Sequence, residues 1–203
     1  MNANYMVNFK FCHSVILITF LTCVNTPLFA ASFNCKKAST AVEKSICNHA
    51  DLSELDSEMA KAYKSLTAVL SKAEASVLKK DQQQWLGERD EAFHTCAREK
   101  LEDCLVYEYA VRVSTLGTTP KDAGFNCKKA GTQVEKKICA SRLLRHADGQ
   151  LTELYKPRRE DFKESQRDWL KERDVRLADK MCDLMCAWNF YQDRIRFFVH
   201  QNF

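Results

Sequence analysis

The stretch FNCKKASTAVEKSIC, residues 33–47, returns as FNCKKAGTQVEKKIC, residues 125–139, identical at 12 of 15 positions. Self-similarity at a fixed offset decides architecture before any single motif does. At the same offset of 92, Asp56 falls on Asp148 and Tyr63 on Tyr155. The block Gln82-x-x-Trp85-Leu-x-Glu88-Arg89-Asp90 then recurs as Gln166-x-x-Trp169-Leu-x-Glu172-Arg173-Asp174 at an offset of 84, so the second copy is eight residues shorter between its Tyr and its Trp. Further on, Cys104-x4-Tyr109-x2-Arg112 recurs as Cys186-x4-Tyr191-x2-Arg194 at an offset of 82. The chain therefore reads as two copies of one unit, expected at residues 32–117 and 125–203. The linker, residues 118–124, lies in the turn-rich segment GTTPKDAG.

Inside each block the periodicity is helical. Leu52, Leu55, Met59, Tyr63, Leu66 and Leu70 recur every three or four residues, as do Leu144, Ala147, Leu151 and Leu154, which gives one apolar stripe per helix. No stretch alternates as a strand would. Thr40-x-x-Glu43 and Thr132-x-x-Glu135 have capping-box spacing, so short helices are expected from about Ala41 and Gln133. Taking about four residues from each arm of an antiparallel hairpin removes roughly one turn per arm and keeps the faces in phase. Pro157 supplies the stop in the shorter copy. The expected fold class is all-α: two tandem, small, disulfide-stabilised domains, each a short capped helix, an antiparallel helical hairpin and a closing helix.

The first residues differ in kind. One positive charge at Lys10, the apolar run VILITFLTCV and the small residues before Ser32 read as a secretory signal peptide over residues 1–31. The run is about ten residues, well short of the roughly twenty a spanning helix needs, so no transmembrane anchor is expected after cleavage. Lipidation at Cys23 is the alternative for this segment. Beyond it stand eight cysteines, Cys35, Cys47, Cys96, Cys104, Cys127, Cys139, Cys182 and Cys186. An even set in an exported chain implies disulfides, and four per copy allow three pairings. Local pairs are the expectation, Cys35 with Cys47, Cys96 with Cys104, Cys127 with Cys139 and Cys182 with Cys186. The last requires a turn; a continuous helix there would favour the crossed pairing. Zinc on Cys182 and Cys186 does not fit, since C-x3-C is not a usual zinc spacing, and no metal or cofactor is expected.

Charge is uneven. Residues 32–119 carry 12 basic and 14 acidic side chains, and residues 120–203 carry 18 and 13. Such asymmetry concerns partners rather than fold. The arginines of the basic half are spread along it rather than clustered, so nucleic acid is not an expected partner.

Taken together, the F-x-C opening, Thr40 and Glu43 before Ile46-Cys47, the Leu55-Asp56 and Tyr63 helix, Gln82, Trp85, Arg89 and Asp90, and Cys104-Leu105 with Tyr109 and Arg112 resemble the LprI-type lysozyme-inhibitor family of exported bacterial proteins. The second copy follows the same pattern, departing at Ala147 and Ala187 where leucines would stand. The resemblance spans essentially the whole chain after the leader. It implies a disulfide-linked helical domain in the periplasm, at the cell surface or secreted, and a protein partner, lysozyme. Animal lysozymes are basic and would attract a strongly acidic inhibitor; this chain is net positive, which opposes that partner, although the first copy, with 12 basic and 14 acidic side chains, still allows docking.

The remaining residues of the pattern carry a structural expectation. Glu43, Asp56, Arg89, Asp90 and Arg112, with Glu135, Asp148, Arg173, Asp174 and Arg194, are expected as an ion network pinning helices. Gln82 and Gln166 complete the pattern. Trp85 and Trp169 are expected as core anchors whose indole N–H finds a partner. Tyr63, Tyr109, Tyr155 and Tyr191 are expected to pack with their hydroxyls at the domain rim. No carboxylate pair stands apart as a glycosidase would require, and no serine elbow, phosphate loop or HExxH occurs, so no enzyme is expected. The alternative to a lysozyme inhibitor is an envelope-associated interaction or stress module that binds another protein or peptidoglycan.

Overall fold

A computed structural model of the chain describes residues 31–96 and 100–201. Residues 1–30, and with them nearly all of the expected signal peptide, lie outside the described residues. The first copy contains α1 (Ala41–Asn48), α2 (Ala50–Thr67), α3 (Lys72–Thr95) and α4 (Leu101–Leu116). The second contains α5 (Gln133–Ala140), α6 (Arg142–Tyr155), α7 (Arg159–Ala178) and α8 (Leu184–His200). Among the described residues there is no strand. The fold is all-α, in the order expected from the repeats.

The opening clasp forms as its spacing dictates. Thr40 Oγ1 accepts from Glu43 N at 3.1 Å, while Glu43 accepts from Thr40 N at 3.0 Å and Ser39 N at 2.7 Å. Thr132, Glu135 and Gly131 repeat this arrangement in the second copy. These amides hold the carboxyls of Glu43 and Glu135 below their ordinary range. Val42 and Ile46, or Val134 and Ile138, are buried one helical turn apart. Disulfides Cys35–Cys47 and Cys127–Cys139 close the clasps, Cys96–Cys104 ties α4 to the end of α3, and Cys182–Cys186 ties the first turn of α8 to the turn before it. The turn that the last pair requires is present: α7 ends at Ala178, and Cys182 precedes α8.

Within a copy the closing helix runs parallel to the first arm of the hairpin. His49 sits at 2.9 Å from Glu102, and Asp56 at 2.9 Å from Tyr109, with the same register. The hairpin arms are 18 and 24 residues long in the first copy and 14 and 20 in the second. Each arm has thus lost four residues, about one turn. Pro157 lies in the short 3₁₀ turn Lys156–Arg158 that replaces the longer connection. The first four residues of α7 pay for the tighter reversal with a kink, Phe162 at φ −117°, ψ 16°.

The copies pack on one another through α4 and α8. The junction is polar at its edges. Glu74, in the first turn of α3, accepts from Ser141 Oγ at 2.8 Å and Leu143 N at 3.0 Å, capping α6 of the other copy. Its second oxygen closes a capping box with Ser71. His146 bridges the linker, its Nε2 to Leu116 O at 2.8 Å and its Nδ1 to Lys121 N at 3.0 Å. Gln150 Nε2 donates to Ser114 O at 2.8 Å. Gly149 lets the linker lie directly on α6, because a Cβ there would come within 2.0 Å of Asp122 O. Gly117, at φ 67°, turns the chain out of α4.

Candidate functional site

The residues that recur in both copies converge on one buried polar spine per copy. In the first, Tyr109 donates to Asp56 Oδ1 at 2.9 Å, and Arg89 Nη1 donates to the Tyr109 hydroxyl at 2.8 Å. Arg89 is anchored in turn by Asp90 at 2.6 Å. The other oxygen of Asp56 accepts from Ser32 N at 2.6 Å, so one carboxylate joins the segment just before the first clasp to the core. One turn further along α4, Arg112 donates to Gln82 Oε1 through Nε at 3.0 Å and to Asp81 Oδ2 through Nη2 at 2.7 Å. Burial and the nearby Asp56 carboxylate raise the Tyr109 phenol, against the pull of Arg89, which keeps it a neutral donor. Burial also lowers the Arg112 guanidinium, opposed by Asp81.

The second copy repeats the spine with one change of chemistry. Tyr191 donates to Asp148 Oδ1 at 2.9 Å, Arg173 Nη1 stands 3.6 Å from the same oxygen, and Asp174 anchors Arg173 at 2.6 Å. Gly124 N donates to Asp148 Oδ2 at 2.8 Å, as Ser32 does to Asp56. Arg194 keeps the glutamine, donating to Gln166 Oε1 at 3.0 Å, but meets the hydroxyl of Ser165 at 3.0 Å where the first copy has Asp81. Its guanidinium lies 4.6 and 4.7 Å from the ring centres of Phe197 and Phe198.

Three expectations change here. The hydroxyls of Tyr109 and Tyr191 lie at the centre of each copy, not at a rim, because a buried carboxylate needs a donor and the phenol supplies it. Tyr63 and Tyr155 are only half buried. The indole N–H of Trp85 has no hydrogen-bond partner among the described residues; the guanidinium groups of Arg89 and Arg112 lie 5.6 and 5.5 Å from the ring centre instead. Glu43 and Glu135 do not join the spine, being consumed by their caps. Trp169 stacks on Phe190 and meets Tyr191 edge-on.

Chemically the spines are closed. Asp56 and Asp148 each receive a phenol and a backbone amide, and both are buried. Among the described residues no group of His, Cys, Asp and Glu is placed to hold a metal ion, and no helix is long and apolar enough to cross a membrane. A cavity of about 230 Å³ lies where the copies meet, between Trp85, Glu108 and Arg112 on one side and Arg196 and His200 on the other. Arg196 pairs with Glu88 across the junction at 3.6 Å, and Tyr107 contacts His200. Burial raises the Glu108 carboxyl.

Sequence reasoning missed Asp81, Glu74, His146 and Gln150. Ser71-x-x-Glu74 carries a capping-box signal that locates the start of α3. Nothing in the sequence says that Glu74 also caps a helix of the other copy.

A family model described as Lysozyme inhibitor LprI matches residues 34–118 and again residues 126–198. No curated relative and no solved structure matches the chain.

Proposed function

This chain belongs to the lysozyme inhibitor LprI family, and from that premise we propose that it is an exported protein that binds lysozyme and blocks it by surface contact. The observation that carries this reading is the double match, one family unit per copy. Export is supported by the leader pattern of residues 1–31 and by four disulfides, which persist in oxidising compartments. Action by contact rather than chemistry is supported by the spines, whose carboxylates are spent on internal donors. The protein is not an enzyme in this reading.

The test mixes the oxidised full chain with lysozyme and follows clearing of a cell-wall suspension. Slower clearing in proportion to added protein is expected; unchanged clearing at large excess removes the inhibitor reading. The basic second half, 18 basic against 13 acidic residues, favours one other partner, an anionic wall polymer. Retention on purified peptidoglycan together with unchanged clearing would identify that envelope-binding role instead.

A further inference from the structure

The two copies touch through surfaces that are not equivalent. On α4 the contact side includes Val111 and Thr115, both buried, but their counterpart Asp193 on α8 is exposed and Phe197 only half buried. On α8 the buried side is the stripe Trp188, Gln192, Ile195 and Val199, followed by Arg196 and His200, which reach α3 and α4. Its counterparts on α4, Val106, Ala110 and Val113, are half exposed. On α6, Leu143, His146 and Gln150 are buried and bonded to the first copy. Their counterparts on α2, at the offset of 92, are Asp51, Glu54 and Glu58, all exposed. The contact is therefore heterologous, head to tail, and such a contact leaves two faces without their counterpart, one on each copy.

On the first copy, the unmatched face is the counterpart of the α6–α8 surface. It consists of a half-exposed apolar strip on α4 beside a row of three carboxylates on α2, and its upper edge is Glu102, one turn before Val106 on the same side of α4. Where the second copy has leucine, histidine and glutamine to meet its neighbour, the first has only acids. We infer that this α2–α4 face is the surface that binds the basic partner, with the carboxylates steering a cationic protein surface onto the Val106, Ala110 and Val113 strip. The inference rests on the lysozyme reading above and names where that contact is made. Continuity with the internal interface supports it: the same repeat position already serves as a protein-docking face in the second copy. The charges select a cationic protein surface as the occupant, because Asp51, Glu54 and Glu58 form an exposed row of acids that the internal contact between the copies lacks.

The test measures binding of the oxidised full chain to a basic animal lysozyme by calorimetry, with circular dichroism confirming that each variant is folded. D51K/E54K/E58K changes three exposed positions and is expected to raise the dissociation constant at least about tenfold and to flatten its salt dependence. D161K/E164K/D168K makes the same charge change at the same spacing on exposed α7 of the second copy, and is expected to change affinity less than about twofold. Equal loss in both variants, or none in the first, overturns the placement while the lysozyme reading stands. No binding by the unmodified chain removes the lysozyme reading and this inference with it. A solution mass above one chain that falls to one chain in D51K/E54K/E58K assigns the face to a second copy and overturns the proposal.

Discussion

Arg112 and Arg194 occupy the same place in the two copies and hold the same glutamine, yet one faces Asp81 and the other Ser165. Arg112 is 1 % exposed and Arg194 8 %. A guanidinium withdrawn that fully from water needs a counter-charge, whereas one that keeps an edge to solvent and lies on two phenylalanine rings does not. What the repeat preserves is therefore the shape of the arginine–glutamine contact, and the ion pair is an answer to local burial in one copy. The second copy solves the same problem with aromatic area.

The comparison can be broken at its strongest point. Asp81→Ala leaves Arg112 buried without its carboxylate and is expected to cost about 3–5 kcal/mol, while Ser165→Ala removes one neutral acceptor and costs about 1 kcal/mol. Urea midpoints of the full chain measure both; similar shifts would mean that the two sites are energetically alike despite their chemistry.

Acid tests the junction, where the copies differ most. Burial pushes the His146 imidazole from 6.5 down to about 4, aided by the charges of Arg142 and Lys121. The unfolded chain thus takes up this proton at higher pH than the folded one. Stability is complete above about pH 6.5 and falls as the pH drops towards 4, by up to about 3 kcal/mol. Burial alone would raise the Glu74 carboxyl, but hydrogen bonds from Ser71, Leu143 and Ser141 outweigh it and hold it at about 2. Its contribution is present above about pH 4.5 and is lost from there down to 2. His146→Gln is expected to flatten the upper part of the stability–pH curve and Glu74→Gln the lower part. Curves that superimpose on the unmodified one would show that the junction does not titrate.

A smaller contrast sharpens the spines. Arg89 reaches Asp56 through the Tyr109 hydroxyl, whereas Arg173 also lies 3.6 Å from Asp148 directly. Tyr109→Phe removes the donor to Asp56 Oδ1 and an acceptor of Arg89, leaving them Ser32 N and Asp90, and should cost about 2–3 kcal/mol. Tyr191→Phe leaves Asp148 an arginine and should cost about 1 kcal/mol, read from thermal midpoints.

Much of the fold was legible because its determinants are local or repeated. The Thr40–Glu43 and Thr132–Glu135 boxes start helices by bonds within four residues, and the eight-residue deletion announces its four-plus-four division through helical phase. The spine residues were legible as a set because they recur, though not as a geometry: that Tyr109 points inward follows from Asp56 needing a donor, which no spacing encodes. Glu74, His146 and Gln150 stayed hidden because their partners are backbone groups of the other copy or of the linker. Such partners leave no mark in periodicity. The repeat itself concealed the docking face, since aligned positions with opposite burial, such as Glu54 and His146, read as ordinary divergence.

The segment between the copies is bonded along its length: His146 holds Leu116 and Lys121, Arg142 donates to Lys121 O, and Asp148 holds Gly124. It does not act as a loose tether. For a flexible linker the gain from engaging two sites at once is set by chain entropy and falls with linker length. Here the spacing between anything bound by the first copy and anything bound by the second is set by hydrogen bonds. Lengthening residues 118–124 would loosen that spacing instead of merely extending reach, and a target with two sites would register the change as lost avidity, while one with a single site would not.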